Sequence, residues 1–226
     1  MSYYNGPKIT TRGLILYMDA KNTKSYIGSG TSWSNMATSV NSTIPAGTAF
    51  SSSLGVESFY FSGTNSYITT DIAQNTYFTN GSDVTLMATV NMPAANYKSY
   101  LGHAQYLDHG FMLGVQSGVH KFVLNTAPSG QYAVEGPAPT TTAPEHITGT
   151  FSGGRMSIYY NGNLYATNTG NSYVTSSVNL LVGYGAQGGW DPYIGHIYNA
   201  AVYNVCLTAN EVLQNYNAVK SRFKLS

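Results

Sequence analysis

Nine carboxylates are the first residues to weigh, because cleaving a glycosidic bond takes two of them acting together. They are Asp19, Glu57, Asp71, Asp83, Asp108, Glu135, Glu145, Asp191 and Glu211. A retaining pair works at a separation of about 5 Å, and a strand supplies it when two nearby acids point to the same face. No two acids here lie within five residues of each other. A catalytic pair would have to be assembled from separate strands, and no catalytic residue is assigned.

The histidines are His103, His109, His120, His146 and His196, and HAQYLDH (103–109) is the only local cluster of His and Asp. That spacing matches no metal-ligand pattern, and a polar loop joining two strands accounts for it as well. His146 and His196 fall inside strand-like runs and are expected to be hydrogen-bonded structural groups. The single cysteine, Cys206, excludes an intrachain disulfide and a Cys-rich zinc site. Beside Leu207 it reads as a small buried hydrophobe. The glycine-rich GYGAQGG (183–189) follows a strand but opens no helix, so it is a loop and not a phosphate cradle.

Holding a sugar takes less than cleaving one: an aromatic face, with amides or acids nearby. GYGAQGGWDPY sets Tyr184, Gln187, Trp190, Asp191 and Tyr193 on one loop. These five are the candidate contact residues, for a glycan or for a neighbouring protein, with a plain loop anchor as the alternative. Tyrosine, present 20 times, suits either contact because it offers a large face and a polar tip.

The elements that must position these residues read mostly as strands. Charged residues make up 8% of the 226, against roughly 25% in an ordinary soluble protein. Ser, Thr, Asn and Gly replace them, which suits strands joined by tight turns. GLILYMDA (13–20) is an apolar strand with Leu14, Leu16 and Met18 on one face and Ile15 and Tyr17 on the other. Asp19 ends it and is expected to bond backbone N–H groups in the AKNTKS turn that follows. Residues 20–55 read as long loops with one short strand at most. ESFYFSG (57–63) and SYITT (66–70) read as a hairpin around Gly63-Thr64-Asn65, and DVTLMATVNM (83–92) as a full strand. Three or four strands follow, then the surface loop GPAPTTTAP (136–144). Gly153-Gly154 and Asn161-Gly162 each join alternating runs, which predicts a three-stranded meander with type I′ turns. SVNLLVGYG and YIGHIYNAAVYN are two further strands. Thr208 and Glu211 have capping-box spacing, and Leu207 and Val212 that of a hydrophobic staple. A helix over about 208–221 follows, with Val212, Tyr216, Val219 and Phe223 on its buried face.

Net charge is +1, and the ten Lys and Arg are scattered along the chain, unlike a nucleic-acid-binding stripe. No apolar run approaches a membrane span, and MSYYNGPKITTRG has no apolar signal region.

Four stretches in order carry a resemblance. GLILYMDAKNTKSYIGSGTSW resembles the opening strand of laminin G-like, concanavalin A-like jelly-roll domains, in the form found in phage structural proteins. FYFSGTNSYITT is similar to that family's second landmark, HITGTFSGGRMSIYYNGNLYATN to its central meander, and YIGHIYNAAVYNVCLTANEVLQNYNA to its closing strand and helix. The resemblance covers about residues 13–223. It implies an all-β sandwich of two antiparallel sheets with one short C-terminal helix: an arm over 1–12, then one domain over 13–226. Two departures count against the calcium some relatives could use. Trp33 is followed by SNMATSVN where an Asp-Leu-Ser-Gly-Asn-like segment is usual, and Ser62 replaces the acid of Phe-Asp-Gly. No cofactor is therefore expected.

The family includes lectins, glycoside hydrolases, adhesion modules and virion proteins, so fold alone does not assign function. The expectation is a non-enzymatic phage virion protein, made in the host cytoplasm, decorating capsid or tail. Its partners would be other virion proteins, host surface glycans and further copies of itself on the particle, with no nucleic acid or membrane. A stand-alone carbohydrate-binding lectin ranks second and a glycoside hydrolase third.

Overall fold

Alternating side chains and a supply of tight turns give two packed sheets. The computed structural model describes residues 8–52, 55–63, 65–92, 98–105, 109–126, 130–185 and 192–225. The elements, in chain order, are β1 (Leu14–Asp19), β2 (Ser32–Ser34), β3 (Asn41–Thr43), β4 (Thr48–Ser51), β5 (Ser58–Ser62), β6 (Ile68–Ala73) and the single turn α1 (Gln74–Tyr77). Then come β7 (Val84–Asn91), β8 (Lys98–Gln105), β9 (His109–Gln116), β10 (Val119–Thr126), β11 (Gly130–Glu135), β12 (Glu145–Ser152), β13 (Arg155–Tyr160), β14 (Asn163–Thr169), β15 (Asn179–Val182), β16 (Ile194–Tyr203) and α2 (Ala209–Phe223).

One sheet runs β14-β13-β12-β7-β16-β5-β4, with β1 lying beside the far half of β16; the other runs β11-β10-β9-β8-β15-β6. Every pairing is antiparallel. The main core lies between the sheets, where Leu86, Ala88 and Val90 of β7 meet Phe111, Leu113, Phe122 and Leu124 of the facing sheet. Strand β7 is buried on both faces, because α2 covers the outside of its sheet. Met87, Tyr159, Ala201, Tyr203, Leu207 and Val212 form that second layer.

The meander has the expected turns. Gly153 and Gly154 have φ of 56° and 83°, and Asn161 and Gly162 of 47° and 79°. Two successive positive φ values define the type I′ turn, whose twist matches the flanking strands. The capping box is also present: Thr208 Oγ1 accepts the Glu211 N–H, and the Glu211 carboxylate accepts the Thr208 N–H. Val212, Tyr216, Val219 and Phe223 are all buried, joined by Asn215 and Ala218.

Three local expectations are corrected. The segments around Gly63 form no hairpin: β5 pairs with β4 and β16, whereas β6 pairs with β15 in the opposite sheet. Both segments alternate, but alternation does not say which sheet each one joins. A bulge between Leu14 and Leu16 turns Ile15 into the main core and Leu14 toward the outer layer, so Leu14 does not share a face with Leu16 and Met18. Residues 20–55 hold three short strands, β2, β3 and β4, and α1 adds a helical turn.

The free edge of β1 is closed by side chains. Asn35 Oδ1 accepts the Tyr17 N–H, its Nδ2 donates to the Ile15 carbonyl, and Ser25 Oγ accepts the Asp19 N–H. Residues Lys8–Arg12 lie against α2, with the Thr10 N–H bonded to Asn215 Oδ1 and Arg12 paired to Glu211 at 2.8 Å.

Candidate functional site

The six-stranded sheet ends at β6, and alternation there sorts six residues by role. Ile68, Thr70 and Ile72 are 0%, 1% and 3% exposed and face the core. Tyr67, Thr69 and Asp71 therefore face outward, with Thr69 and Asp71 exposed. The β2–β3 hairpin stands beside this edge, and a cleft of about 400 Å³ runs between them. Its lining includes Asn41, Ser42, Pro45, Tyr67, Asp71 and Asn179.

At one end, the half-exposed rings of Tyr67 and Tyr184 stack with centroids 5.1 Å apart and planes 33° apart. Along the lining, Asp71 has no basic group within ion-pair reach among the described residues, so its carboxylate is open to hydroxyl donors. Ser42 Oγ is buried and makes no hydrogen bond within the protein. An aromatic platform, a carboxylate and an amide are what a sugar ring needs: a face for its C–H groups and partners for its hydroxyls. The lining has one carboxylate and no cation, which favours a neutral sugar over an acidic one.

Of the five loop residues singled out in the sequence, Tyr184 joins this site through Tyr67. Gln187, Trp190 and Asp191 lie outside the described residues. Tyr193 is not a contact residue: it is 0% exposed, and its hydroxyl donates to the Asn91 carbonyl. Its ring packs edge-on to Tyr100 at 5.5 Å. Tyr67, Asp71, Asn179 and Ser42 carried no signal in the sequence beyond their type, because three separate segments bring them together.

The most acid–base-rich group lies elsewhere, inside the sandwich. Glu145 Oε2 is 3.3 Å from His120 Nε2, His120 Nδ1 shares a 2.7 Å hydrogen bond with the Tyr100 hydroxyl, and the Tyr160 hydroxyl donates to Glu145 Oε1 at 2.9 Å. The Glu145–His120 contact is within ion-pair range but off the hydrogen-bonding direction, so neither atom is satisfied by a hydrogen bond. Burial and the adjacent carboxylate push Tyr160 up to about 12. Glu145, His120 and Tyr100 are 1%, 0% and 0% exposed, and backbone bonds between His120 and residues 136–137 close the strand end above them. A general acid must reach the proton it transfers. Glu145, His120 and Tyr100 are out of reach of a substrate, and only the Tyr160 side of the cluster is partly exposed.

Four further acids are held by cations, whereas Asp83 has no ion pair among the described residues. Asp19 is held by Arg222, Glu57 by Lys21, Glu135 by Lys121 and Glu211 by Arg12. Asp19 also accepts the Lys21 N–H, the turn contact expected of it. His146 and His196 bond Thr89 and Ser58 through Nδ1, and burial lowers His146 to about 3. His103 and His109 lie ring to ring, 5.9 Å apart and nearly parallel. Burial and that neighbour hold His103 near 4, so it is neutral at pH 7. Asp108 lies outside the described residues. Cys206 is half-buried, and burial raises its thiol.

For calcium, the residues at the two departures do not fit. Ser62 Oγ donates to the Gly47 carbonyl, and the amide of Asn35 is spent on the β1 edge and Thr38. Among the described residues, no three His, Cys, Asp or Glu side chains gather as a metal set.

Comparison with known proteins agrees with this architecture. The family model described as the concanavalin A-like lectin/glucanases superfamily matches residues 62–213. Among solved structures, the binding domain of Paraclostridial Mosquitocidal Protein 1 superposes with a TM-score of 0.67 at 11% identity, over 90% of this chain and 52% of that one. Domain 4 of an extracellular arabinanase from Geobacillus stearothermophilus, in complex with arabinotriose, gives 0.67 at 14% identity, over 90% of this chain and 98% of that one. Trypanosoma rangeli sialidase in complex with the inhibitor DANA gives 0.64 at 17% identity, over 92% of this chain and 33% of that one. The chain thus spans about half of the mosquitocidal structure and a third of the sialidase. No curated protein sequence matches it.

Proposed function

We propose that this chain, which belongs to the concanavalin A-like lectin/glucanase superfamily, is a non-catalytic module that binds a neutral oligosaccharide in the cleft between β3 and β6. The Tyr67–Tyr184 platform beside an unpaired carboxylate is the observation that carries this reading. The match to an arabinanase domain solved with a trisaccharide supports it, since that domain is covered almost whole. So does the burial of Glu145 and His120, which leaves that pair a structural and not a catalytic role.

A glycan array on the isolated protein tests it. Tyr67→Ala removes one stacked face and is expected to weaken binding by about tenfold. Asp71→Asn keeps the shape and weakens it less. Trp190→Ala reports whether the loop singled out in the sequence also takes part. Binding that neither Tyr67→Ala nor Asp71→Asn alters would place the sugar elsewhere, and release of reducing sugar from a polysaccharide would overturn the non-catalytic reading.

The second reading sets the module on a phage particle as a capsid or tail decoration protein. Its support is the low charge content and the exposed apolar side chains of Ile27, Leu164 and Tyr165, at 78%, 51% and 56%. Leu164 and Tyr165 sit side by side on β14, the end strand of its sheet. Finding the chain at fixed, symmetric positions on purified particles would establish this setting; its absence from them would reject it.

A further inference from the structure

Four of the ten basic residues, far apart in sequence, line one cleft. Lys8, Lys21, Lys24 and Arg222 surround a hollow of about 760 Å³ between the segment leading into β1, the turn after β1, and α2. The fold overrides the scatter seen along the chain. Asp19, the acid nearest to this group, is 0% exposed and committed to Arg222, and Lys21 is paired with Glu57. Lys8 and Lys24 are exposed and have no carboxylate within ion-pair reach among the described residues. The rim is therefore positive with two uncommitted ammonium groups.

The floor is apolar. Ile9, Leu14 and Met36 are partly exposed there, with Ala218 of α2 beside them. We infer that this cleft binds an acidic peptide segment of a partner protein, seating an apolar side chain on Ile9, Leu14 and Met36 while its carboxylates meet Lys8 and Lys24. Charge complementarity sets the sign of the ligand. The floor decides its class. Branched aliphatic and thioether groups pack an aliphatic side chain, whereas a sugar asks for a flat aromatic face. The one aromatic in the lining, Tyr17, is 7% exposed and its hydroxyl already donates to Asp19.

The probe is a fluorescein-labelled Asp-Glu-Leu-Asp-Glu-Leu peptide, read by fluorescence anisotropy against the full chain in low salt. The controls are the isosteric Asn-Gln-Leu-Asn-Gln-Leu peptide and an oligogalacturonate. The acidic peptide is expected to bind about tenfold more tightly than the neutral one. The double variant Lys8→Gln/Lys24→Gln is expected to erase that difference without changing the melting temperature, because neither ammonium group has an ion-pair partner among the described residues. Methyl NMR signals of Ile9, Leu14 and Met36 should shift on titration. Equal binding of the two peptides, binding unchanged in the double variant, or shifts confined to other methyls would each overturn the inference. Binding of the oligogalacturonate in place of the acidic peptide would do the same, by assigning the cleft to a carboxylated sugar. The glycan cleft at β6 shares no residue with this one, so Tyr67→Ala should leave peptide binding intact whichever way the sugar assay falls.

Discussion

Replacing Arg222 with Met isolates the cost of leaving one buried charge alone. Asp19 is 0% exposed, and its two oxygens receive four donors: Arg222 Nη1 at 2.7 Å and Nη2 at 3.0 Å, the Tyr17 hydroxyl at 2.8 Å and the Lys21 N–H at 3.0 Å. Removing one partner of a buried ion pair costs about 3–5 kcal/mol. Two neutral donors survive here, which places the loss at the lower end, about 3 kcal/mol. For a domain of this size each kcal/mol lowers the melting temperature by about 2–4 °C, so Arg222→Met should melt about 6–12 °C below the parent at pH 7. Asp19→Asn in the Arg222→Met background removes the stranded charge and should recover much of that loss. Calorimetry on the parent, both single variants and the double variant measures the coupling. A shift under about 2 °C for Arg222→Met, or a coupling below about 1 kcal/mol, would show that water or local movement relieves Asp19, and the argument from burial would fail.

Gly149→Ala is expected to lower stability by about 1–3 kcal/mol, because the added methyl would fall inside contact distance of the buried Phe122 ring; chemical denaturation measures it. Arg12 and the Thr208 N–H lower Glu211 to about 2. Its folded value lies below the unfolded one, so its stabilisation is present above about pH 4.3 and is lost as pH falls toward 2. This pair is solvent-exposed, so the effect stays under about 1 kcal/mol. The stability gap between the parent and Glu211→Gln should therefore be present at pH 7 and vanish near pH 2.

What the sequence disclosed was local. The Asn161-Gly162 turn, the Thr208–Glu211 box and the apolar face of α2 are each written within a few residues, and each is present in the structure. The role of Asp19 was half legible: the Lys21 N–H lies two residues away, but Arg222 lies 203 away. The same limit explains the error at Gly63. Alternation marks β5 and β6 as strands, yet sheet membership depends on partners more than a hundred residues downstream in β15 and β16. It also hid both clefts. Tyr67 and Asp71 at β6 meet Asn179 of β15 and Ser42 of β3, and Lys8, Lys21, Lys24 and Arg222 look dispersed until α2 docks. Tyr193 misled for the complementary reason: beside a glycine-rich loop it resembled a contact residue, but it opens the path into β16, where its neighbours enclose it.

The two clefts differ in the sign of what they accept, and salt should separate them. Exposed charges interact over about 8 Å at 0.15 M ionic strength and about half that at 0.5 M. The peptide at Lys8 and Lys24 depends on such charges, so its affinity should fall about tenfold between 0.05 M and 0.5 M sodium chloride. A neutral sugar on Tyr67 and Tyr184 is held by stacking and short hydrogen bonds, and its affinity should change by less than about twofold over the same range. Competition adds a second check: saturating sugar should leave the peptide anisotropy unchanged, because the linings share no residue. A sugar whose binding fell with salt in parallel with the peptide would be sitting among the lysines, and the division of labour between the two surfaces would be wrong.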